Sequence, residues 1–264
     1  MDYVSLNDDV RMPILGFGTW QVAPQATRKL VAHALKMGYR SFDTAQVYGN
    51  EAAVGAAVHA SDVARSDVFI TTKVWTSGYD ATRRSIDGSV RELNTDYIDL
   101  LLIHEPGRDD LGTYRALEDA KRSGKARAIR LSNFYGSDYT NLVDTCEITP
   151  AVNQLETHVF WQQRRTRALL TRHGTKLMSW APFAEGMNDF FTNPVLAHTG
   201  AKHGKTAAQT ALRFLIQNGI VVIPKTTRPE RMAENLNVFD FTLDDQDMAQ
   251  ITGLDTGRSI IGWP

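Results

Sequence analysis

The sequence predicts an α/β protein in which eight parallel strands and the helices between them close into a (β/α)8 TIM barrel. Three observations indicate this fold class. Short β-branched or leucine-rich runs alternate with amphipathic stretches along the chain. Polar residues end successive runs at a nearly constant spacing, and the 264 residues are close to the ~250 of a typical barrel. We therefore expect a single domain over residues 1–264, with a doubly wound sheet as the alternative fold.

Eight segments have the composition of buried parallel strands, and in chain order they are residues 14–20, 39–45, 68–74, 97–104, 126–133, 151–156, 176–182 and 220–225. Amphipathic segments follow them, most clearly at residues 25–38, 82–93, 113–124 and 207–219. Glycine closes several of these segments, as expected at the end of a helix.

Polar side chains stand at the ends of the predicted strands. The spacing from Asp43 to Lys73 is 30, from Lys73 to His104 it is 31, and from His104 to Asn133 it is 29. The carboxyl ends of barrel strands face one mouth, so we expect these side chains to converge there. The same mouth should receive Tyr48, from the loop after Asp43, together with Gln154, Trp180 and Lys225.

Asp43, Tyr48, Lys73 and His104 can together deliver a proton to a substrate oxygen. A phenol titrates near ~10, and a neighbouring ammonium such as Lys73 is expected to lower the pKa of Tyr48. Asp43 would keep Lys73 charged, and His104 would orient the oxygen that becomes negative. A carbonyl protonated at oxygen also needs a hydride at carbon. Side chains cannot supply one, so a nicotinamide or a flavin is implied.

Composition argues against several other function classes. The sequence shows no serine or cysteine placed as a nucleophile and no HxH or HxxxH pair, so we expect neither covalent hydrolysis nor a metal. The net charge of −1 and the lack of a basic run argue against nucleic acid or an anionic membrane as partners. A lone Cys146, no signal-like start and apolar runs far below the ~20 residues of a membrane span indicate a cytoplasmic protein. We see no apolar seam and expect a monomer.

The stretch "IPKTTRPERMAEN" at residues 223–235 has the pattern of a phosphate-binding helix start. Thr226 and Thr227 are candidate caps, and Pro229 suits the first helical turn. Arg231 and Asn235 share a helix face, where they could read the 2′-phosphate and adenine of NADPH. No GxGxxG motif follows a strand, so a nucleotide would not be bound in the Rossmann manner.

Three ordered stretches, "GYRSFDTAQVYGNE", "VRELNTDYIDLLLIHEP" and "IPKTTRPERMAEN", make the chain resemble the aldo-keto reductases, in particular bacterial members of the 2,5-diketo-D-gluconate reductase type. The resemblance implies a TIM barrel whose bottom is closed by an N-terminal β-hairpin (residues 4–6 and 11–13), with NADPH across the mouth. It also implies a catalytic tetrad of Asp43, Tyr48, Lys73 and His104, with Tyr48 as the acid in reduction and the base in oxidation.

The same resemblance implies the cofactor contacts. Ser132, Asn133 and Gln154 would bind the nicotinamide carboxamide, Trp180 would stack on its ring, Lys225, Thr226 and Arg231 would bind the 2′-phosphate, and Glu234 and Asn235 the adenine. The chain departs from the family at three positions: Trp180 replaces the usual Tyr, Glu105 replaces an aromatic after His104, and Arg130 stands where glycine is commoner. No role for Arg130 follows from the sequence.

The predicted function is an NADPH-dependent oxidoreductase that reduces aldehydes, ketones or dicarbonyls to alcohols. Trp20, Trp75 and Glu105 are candidates for the substrate pocket, although Trp20 and Trp75 could simply pack at the rim, and Asp43 with Lys73 could be a structural ion pair. Two alternatives stay open: a non-catalytic NADPH-binding sensor or structural protein of the same fold, and a phosphate-binding isomerase or lyase that uses Lys73 as a Schiff base.

Overall fold

An N-terminal hairpin covers one end of the molecule in the computed structural model, which describes residues 1–7 and 10–262. Strands β1 (Tyr3–Ser5) and β2 (Arg11–Pro13) pair antiparallel. Asn7 Nδ2 donates to the carbonyl oxygen of Thr149 at 2.7 Å, shortly before a barrel strand begins at Val152. The hairpin therefore lies at the amino ends of the barrel strands. The predicted closure of the bottom is confirmed, with the first strand one residue earlier than expected.

Eight parallel strands form the central sheet, each hydrogen-bonded to the next strand along the chain. They are β3 (Phe17–Gly18), β4 (Ser41–Asp43), β5 (Phe69–Val74), β6 (Ile98–Ile103), β7 (Ala126–Ser132), β8 (Val152–Glu156), β9 (Lys176–Trp180) and β10 (Val221–Val222). Hydrogen bonds from Gly16 N to Val222 O (2.9 Å) and from Val222 N to Ile14 O (2.9 Å) join the first and last strands. The (β/α)8 fold is confirmed.

The first and last strands are shorter than the predicted segments 14–20 and 220–225. Glycines explain the close contact of the two strands, because a Cβ on Gly18 would lie 2.8 Å from the carbonyl oxygen of Ile223. Pro224 has no N–H for the ladder, so regular pairing ends at Val222. Gly18 N still donates to Pro224 O at 3.2 Å, which keeps the seam closed beyond β10.

Helices surround the sheet and follow the predicted alternation. They are α1 (Pro24–Met37), α2 (Glu51–His59), α3 (Tyr79–Glu92), α4 (Asp110–Arg122), α5 (Gly136–Val143), α6 (Arg164–Arg172), α7 (Pro194–Lys202), α8 (Ala207–Gln217), α9 (Pro229–Leu236) and α10 (Asp245–Thr252). Side-chain caps set several starts, such as the Thr206–Gln209 capping box before α8. Among the described residues, no helix is long and apolar enough to cross a bilayer.

Candidate active site

The residues predicted to converge do so at the carboxyl ends of β4, β5 and β6. Asp43 is the last residue of β4, Lys73 the second last of β5, and His104 directly follows β6. Tyr48 ends a short 3-10 turn, Gln46–Tyr48, in the loop after β4. This turn brings the Tyr48 hydroxyl to the end of the barrel, where it lies 3.2 Å from Lys73 Nζ.

Lys73 is the centre of this cluster and uses its ammonium group for three hydrogen bonds. Nζ is ion-paired with Asp43 Oδ1, donates to the carbonyl oxygen of Thr44 at 2.9 Å, and lies 3.2 Å from the Tyr48 hydroxyl. Asp43 and Lys73 are both buried. Because an ammonium has three N–H groups, this arrangement satisfies all of them and fixes the Lys73 head beside the phenol.

A buried asparagine that the sequence did not single out holds the loop that carries Tyr48. Asn50 Nδ2 donates to the carbonyl oxygens of Thr19 (3.0 Å) and Val22 (3.1 Å), and its Oδ1 accepts from the Thr44 hydroxyl at 2.5 Å. Asn50 directly precedes α2. It therefore ties the Tyr48 turn to the loop after β3, which explains how an irregular segment keeps a fixed position.

Arg130 is the main addition to the predicted site. It is 0% exposed, and its Nη2 lies 3.0 Å from Asp43 Oδ2, so the carboxylate binds Lys73 with one oxygen and Arg130 with the other. Nη1 contacts the Met178 sulfur on β9. Since β7 pairs with neither β4 nor β9, these contacts place the Arg130 side chain inside the barrel. The position that had no role from sequence is part of the charged cluster.

Burial changes the pKa values of the cluster more than the sequence suggested. Burial lowers the pKa of Lys73 to about 8, with the Asp43 charge opposing the change. The pKa of Tyr48 is raised well above 10, because burial and the Asp43 charge outweigh the opposing charge of Arg130. The net pKa of Tyr48 is therefore raised by burial, and not lowered as expected from a neighbouring ammonium alone. Tyr48 is a protonated phenol at neutral pH, which is the form that a proton donor needs.

His104 is neutral and closely packed among aromatic rings. Burial and the Lys73 charge lower its pKa to about 3, so it does not become an imidazolium at working pH. Its ring meets the rings of Tyr48 (5.6 Å between centroids) and Trp75 (4.8 Å) edge-on. Trp20 contacts the Tyr48 ring at 4.8 Å. A neutral imidazole can donate one hydrogen bond to a substrate oxygen without adding charge.

Trp20 and Trp75 are unusually exposed for their size, at 38% and 50%. Both lie against rings of the cluster: Trp20 contacts the Tyr48 ring and Trp75 contacts the His104 ring. Glu105, half-buried after His104, adds a negative charge that acts to raise the Tyr48 pKa. The structure thus brings the three predicted pocket residues to the mouth, beside the phenol and the imidazole.

Residues at the ends of β7, β8 and β9 form the next part of the mouth. Trp180 Nε1 donates to Asn133 Oδ1 at 2.9 Å, which fixes the plane of a half-buried indole. Gln154 Nε2 lies 3.3 Å from Asp43 Oδ2, and its buried Oε1 has no hydrogen-bond partner in the described part of the chain. Ser132 is paired with Gln154 across β7 and β8 and is buried. The free amide oxygen is an acceptor available to a bound ligand.

A cavity of about 260 Å³ lies beside this corner, at the ends of β10, α8 and α9. It is lined by all five residues that were predicted to contact the 2′-phosphate and the adenine of NADPH: Lys225, Thr226, Arg231, Glu234 and Asn235. Sequence reasoning missed the rest of its lining: Phe183, Phe191, Thr206, Ala207 and Ala208. The first turn of α8 borders the cavity, and helix starts favour anions.

Two hydrogen bonds in the lining of this cavity bear on the predictions. The expectation that Thr226 or Thr227 caps α9 is wrong, because Arg228 is the N-cap residue and no side chain makes a cap hydrogen bond. The Thr226 hydroxyl instead accepts from Arg228 N at 3.1 Å. Glu234 is held by the Thr206 hydroxyl at 2.6 Å. No group of three or more His, Cys, Asp or Glu side chains that could hold a metal ion occurs within residues 1–7 and 10–262.

Comparison with known proteins agrees with this geometry. The sequence profile of the Aldo/keto reductase family matches residues 14–256. The glyoxal reductase of Bacillus subtilis (strain 168) is 41% identical over 264 residues, covering 98% of this chain and 95% of that protein. The methylglyoxal reductase DkgA of Yersinia pestis is 38% identical over 260 residues, covering 97% and 94%. A crystal structure of a Gox0644 mutant in complex with NADPH has a TM-score of 0.93 and 36% identity, covering 99% and 96%.

Proposed function

This chain belongs to the aldo/keto reductase family, and from that premise we propose that it is an NADPH-dependent reductase that converts small aldehydes, ketones and dicarbonyls to alcohols, with Tyr48 as the proton donor. The observation that carries the proposal is the Lys73 ammonium, which binds Asp43, the Thr44 carbonyl and the Tyr48 hydroxyl at the same time. A purely structural ion pair has no need of the phenol. Proton transfer to a substrate needs the phenol as the donor and the ammonium to stabilise the phenolate that forms.

The proton-transfer step follows from the charges. Tyr48 is protonated before reaction, because its pKa lies well above 10. When the phenol gives its proton to a carbonyl oxygen, the phenolate formed lies 3.2 Å from the Lys73 Nζ, whose positive charge stabilises it. Neutral His104 donates a hydrogen bond to the same oxygen and directs it toward the phenol. In alcohol oxidation the phenolate accepts the proton.

The donor set fits a nicotinamide dinucleotide. The unpartnered Gln154 Oε1 and the amide of Asn133 suit a carboxamide, and the indole of Trp180, fixed by Asn133, offers a flat surface for stacking. Lys225 and Arg231 line the adjoining cavity, where a 2′-phosphate would need cations, with Thr226 beside them and Glu234 and Asn235 placed for the adenine. Ser132 supports the carboxamide corner from β7. Bound NADPH would supply the hydride that the carbonyl carbon receives.

The mouth favours small, neutral carbonyl compounds. Trp20 and Trp75 supply apolar walls beside the phenol and the imidazole, and the Glu105 carboxylate disfavours an anionic substrate next to them. The relatives named glyoxal reductase and methylglyoxal reductase support small dicarbonyls as the first substrates to test.

Consumption of NADPH and of NADH should be measured with a panel that runs from methylglyoxal through aromatic aldehydes to keto-sugars and ketosteroids. Turnover that prefers NADPH supports the proposal. NADPH binding without turnover of any carbonyl would point instead to the non-catalytic alternative. Borohydride trapping of a sugar phosphate on Lys73 would support the Schiff-base alternative, which the three hydrogen bonds of the Lys73 ammonium disfavour.

A further inference from the structure

The Arg130 side chain extends across the barrel interior to Asp43, whose carboxylate is already ion-paired with Lys73. Its Nη2 binds Asp43 Oδ2 at 3.0 Å, while Asp43 Oδ1 binds Lys73. The third nitrogen, Nε, is buried and has no hydrogen-bond partner in the part of the chain that the structure describes. Burial lowers the pKa of Arg130 to about 10, so the guanidinium is charged at neutral pH. Two buried cations thus share one carboxylate.

Building on the proposed function, we propose that Arg130 is a positioning residue for the reaction, which orients the Asp43 carboxylate toward Lys73 and adds a second positive charge that favours the phenolate of Tyr48. The orientation follows from the two contacts. With Oδ2 held by Arg130 and by Gln154 Nε2 at 3.3 Å, Oδ1 is the oxygen left for Lys73. Rotation of the carboxylate would break both contacts.

The charge count distinguishes this role from a structural ion pair. A buried pair is balanced by one cation and one anion, and a second desolvated cation adds cost without a further partner. Proton donation by Tyr48 creates a new negative charge 3.2 Å from Lys73, and the positive charge of Arg130 then has a second anion to stabilise. The cluster is therefore better matched to the charge after proton transfer than to the charge before it.

Charges on the neighbouring elements set the direction of the effect. Arg130 acts to lower the pKa of both Lys73 and Tyr48. Glu51 of α2 acts on Lys73 from the other face of β5, where its Oε1 accepts from the Thr72 hydroxyl at 2.6 Å. The titratable groups facing Lys73 and Tyr48 are Asp43 on β4, Glu51 on α2, His104 and Glu105 after β6, and Arg130 on β7. Loss of the Arg130 charge raises the pKa of Lys73 and of Tyr48 together.

Three variants and one control separate charge from packing. Arg130→Met removes the charge and the hydrogen bonds at similar length, Arg130→Gln removes the charge but keeps a donor, and Arg130→Lys keeps the charge without the planar fork. Arg127→Met is the control, because Arg127 lies on the same strand and pairs with Asp99 at 2.9 Å, where its side chain is 44% exposed. All four are compared with the wild type for folding by circular dichroism.

We expect kcat for reduction to fall about tenfold to a hundredfold in Arg130→Met, and less in Arg130→Gln. The alkaline limb of kcat/KM should move about one pH unit upward in both uncharged variants, since a unit charge at roughly 6 Å has an effect of this order. In Arg130→Lys the alkaline fall of kcat/KM should occur at the wild-type pH, and Arg127→Met should change neither kcat nor the pH of this fall. An unmoved limb in folded Arg130→Gln, or an equal shift in Arg130→Lys, would overturn the proposal.

A second readout needs neither cofactor nor turnover. In apoprotein labelled with ¹³C-lysine, the Lys73 Cε signal is assigned by its loss in Lys73→Met and is then titrated against pH. The wild-type pKa should be about 8, and it should be about one pH unit higher in Arg130→Gln. Equal values in the two proteins refute the proposal. If instead the titration shifts but no carbonyl is reduced by the wild type, the proposed function has failed and the electrostatic role of Arg130 stands.

Discussion

Replacing Tyr48 with phenylalanine removes one hydroxyl from the centre of the proposed site. The ring itself, which contacts Trp20 and His104, is retained. If Tyr48 is the proton donor, the loss of a positioned general acid should lower kcat for reduction by about 10²–10⁴-fold. This corresponds to about 3–5 kcal/mol of lost transition-state stabilisation.

The structural cost of the same substitution should be much smaller. Lys73 loses its 3.2 Å contact with the Tyr48 hydroxyl but keeps Asp43 and the Thr44 carbonyl. Loss of one such hydrogen bond lowers the free energy of unfolding by about 1–2 kcal/mol. The predicted nucleotide contacts are untouched, so the Kd for NADPH should change less than about threefold. A large loss of rate with little loss of binding is the expected signature.

The assay is NADPH oxidation with methylglyoxal under saturating conditions, together with fluorescence titration of NADPH and urea unfolding. Tyr79→Phe is the matched control, because the Tyr79 hydroxyl donates to Asp119 at 2.7 Å on the surface, outside the site. The reasoning is refuted if Tyr48→Phe keeps more than about a tenth of kcat, or if Tyr79→Phe loses as much.

Three further outcomes are expected. Arg231→Ala should raise the Kd for NADPH about tenfold or more and that for NADH little, with Arg83→Ala, an exposed arginine on α3 outside the cavity, as the control; equal weakening of both would mean that the 2′-phosphate is bound elsewhere. The rate of reduction should fall as pH rises through about 8, where Lys73 loses its proton, and a rate that climbs above pH 8 contradicts this. Between about pH 5 and 7 the rate should not change through titration of His104, because the pKa of His104 is about 3. Gly18→Ala should lower the free energy of unfolding by about 1–3 kcal/mol in urea, because its Cβ would meet Ile223 O at 2.8 Å, whereas Gly88→Ala on α3 should not destabilise.

Strand-end residues could be predicted from the sequence because the barrel repeats. Asp43, Lys73, His104 and Asn133 recur once per βα unit, so one assumption about the fold brings them to the same mouth. Trp180 and Gln154 follow by the same rule. The observed contacts of Lys73 with Asp43 and Tyr48 agree with that placement.

Arg130 could not be predicted in the same way. Its partner Asp43 is 87 residues away, and no local pattern shows that an arginine in an apolar strand points into the barrel toward a charge. The direction of the net Tyr48 pKa shift could not be predicted for a related reason, since burial, which outweighs the charge of Arg130, is a property of the whole packed mouth.

The structure of the segment after β9 also could not be predicted from the sequence. Phe183 precedes the short turn Ala184–Gly186 and Phe191 lies in the turn Phe190–Thr192, and both line the cavity that contains Arg231. Several of its non-glycine residues, such as Ala181, Glu185 and Asp189, have positive φ angles. Such a path has no strand or helix period in the sequence and depends on tertiary packing.

The most direct test of the central claim is a double-mutant cycle on Tyr48 and Lys73. The claim is that the phenol and the ammonium, 3.2 Å apart, act as one unit in proton transfer. The kcat for methylglyoxal reduction should be measured for Tyr48→Phe, Lys73→Met and the double variant. If the two groups act together, the double variant should lose about as much as the worse single variant. If the two losses multiply, Lys73 and Tyr48 act independently and the proposed mechanism is wrong.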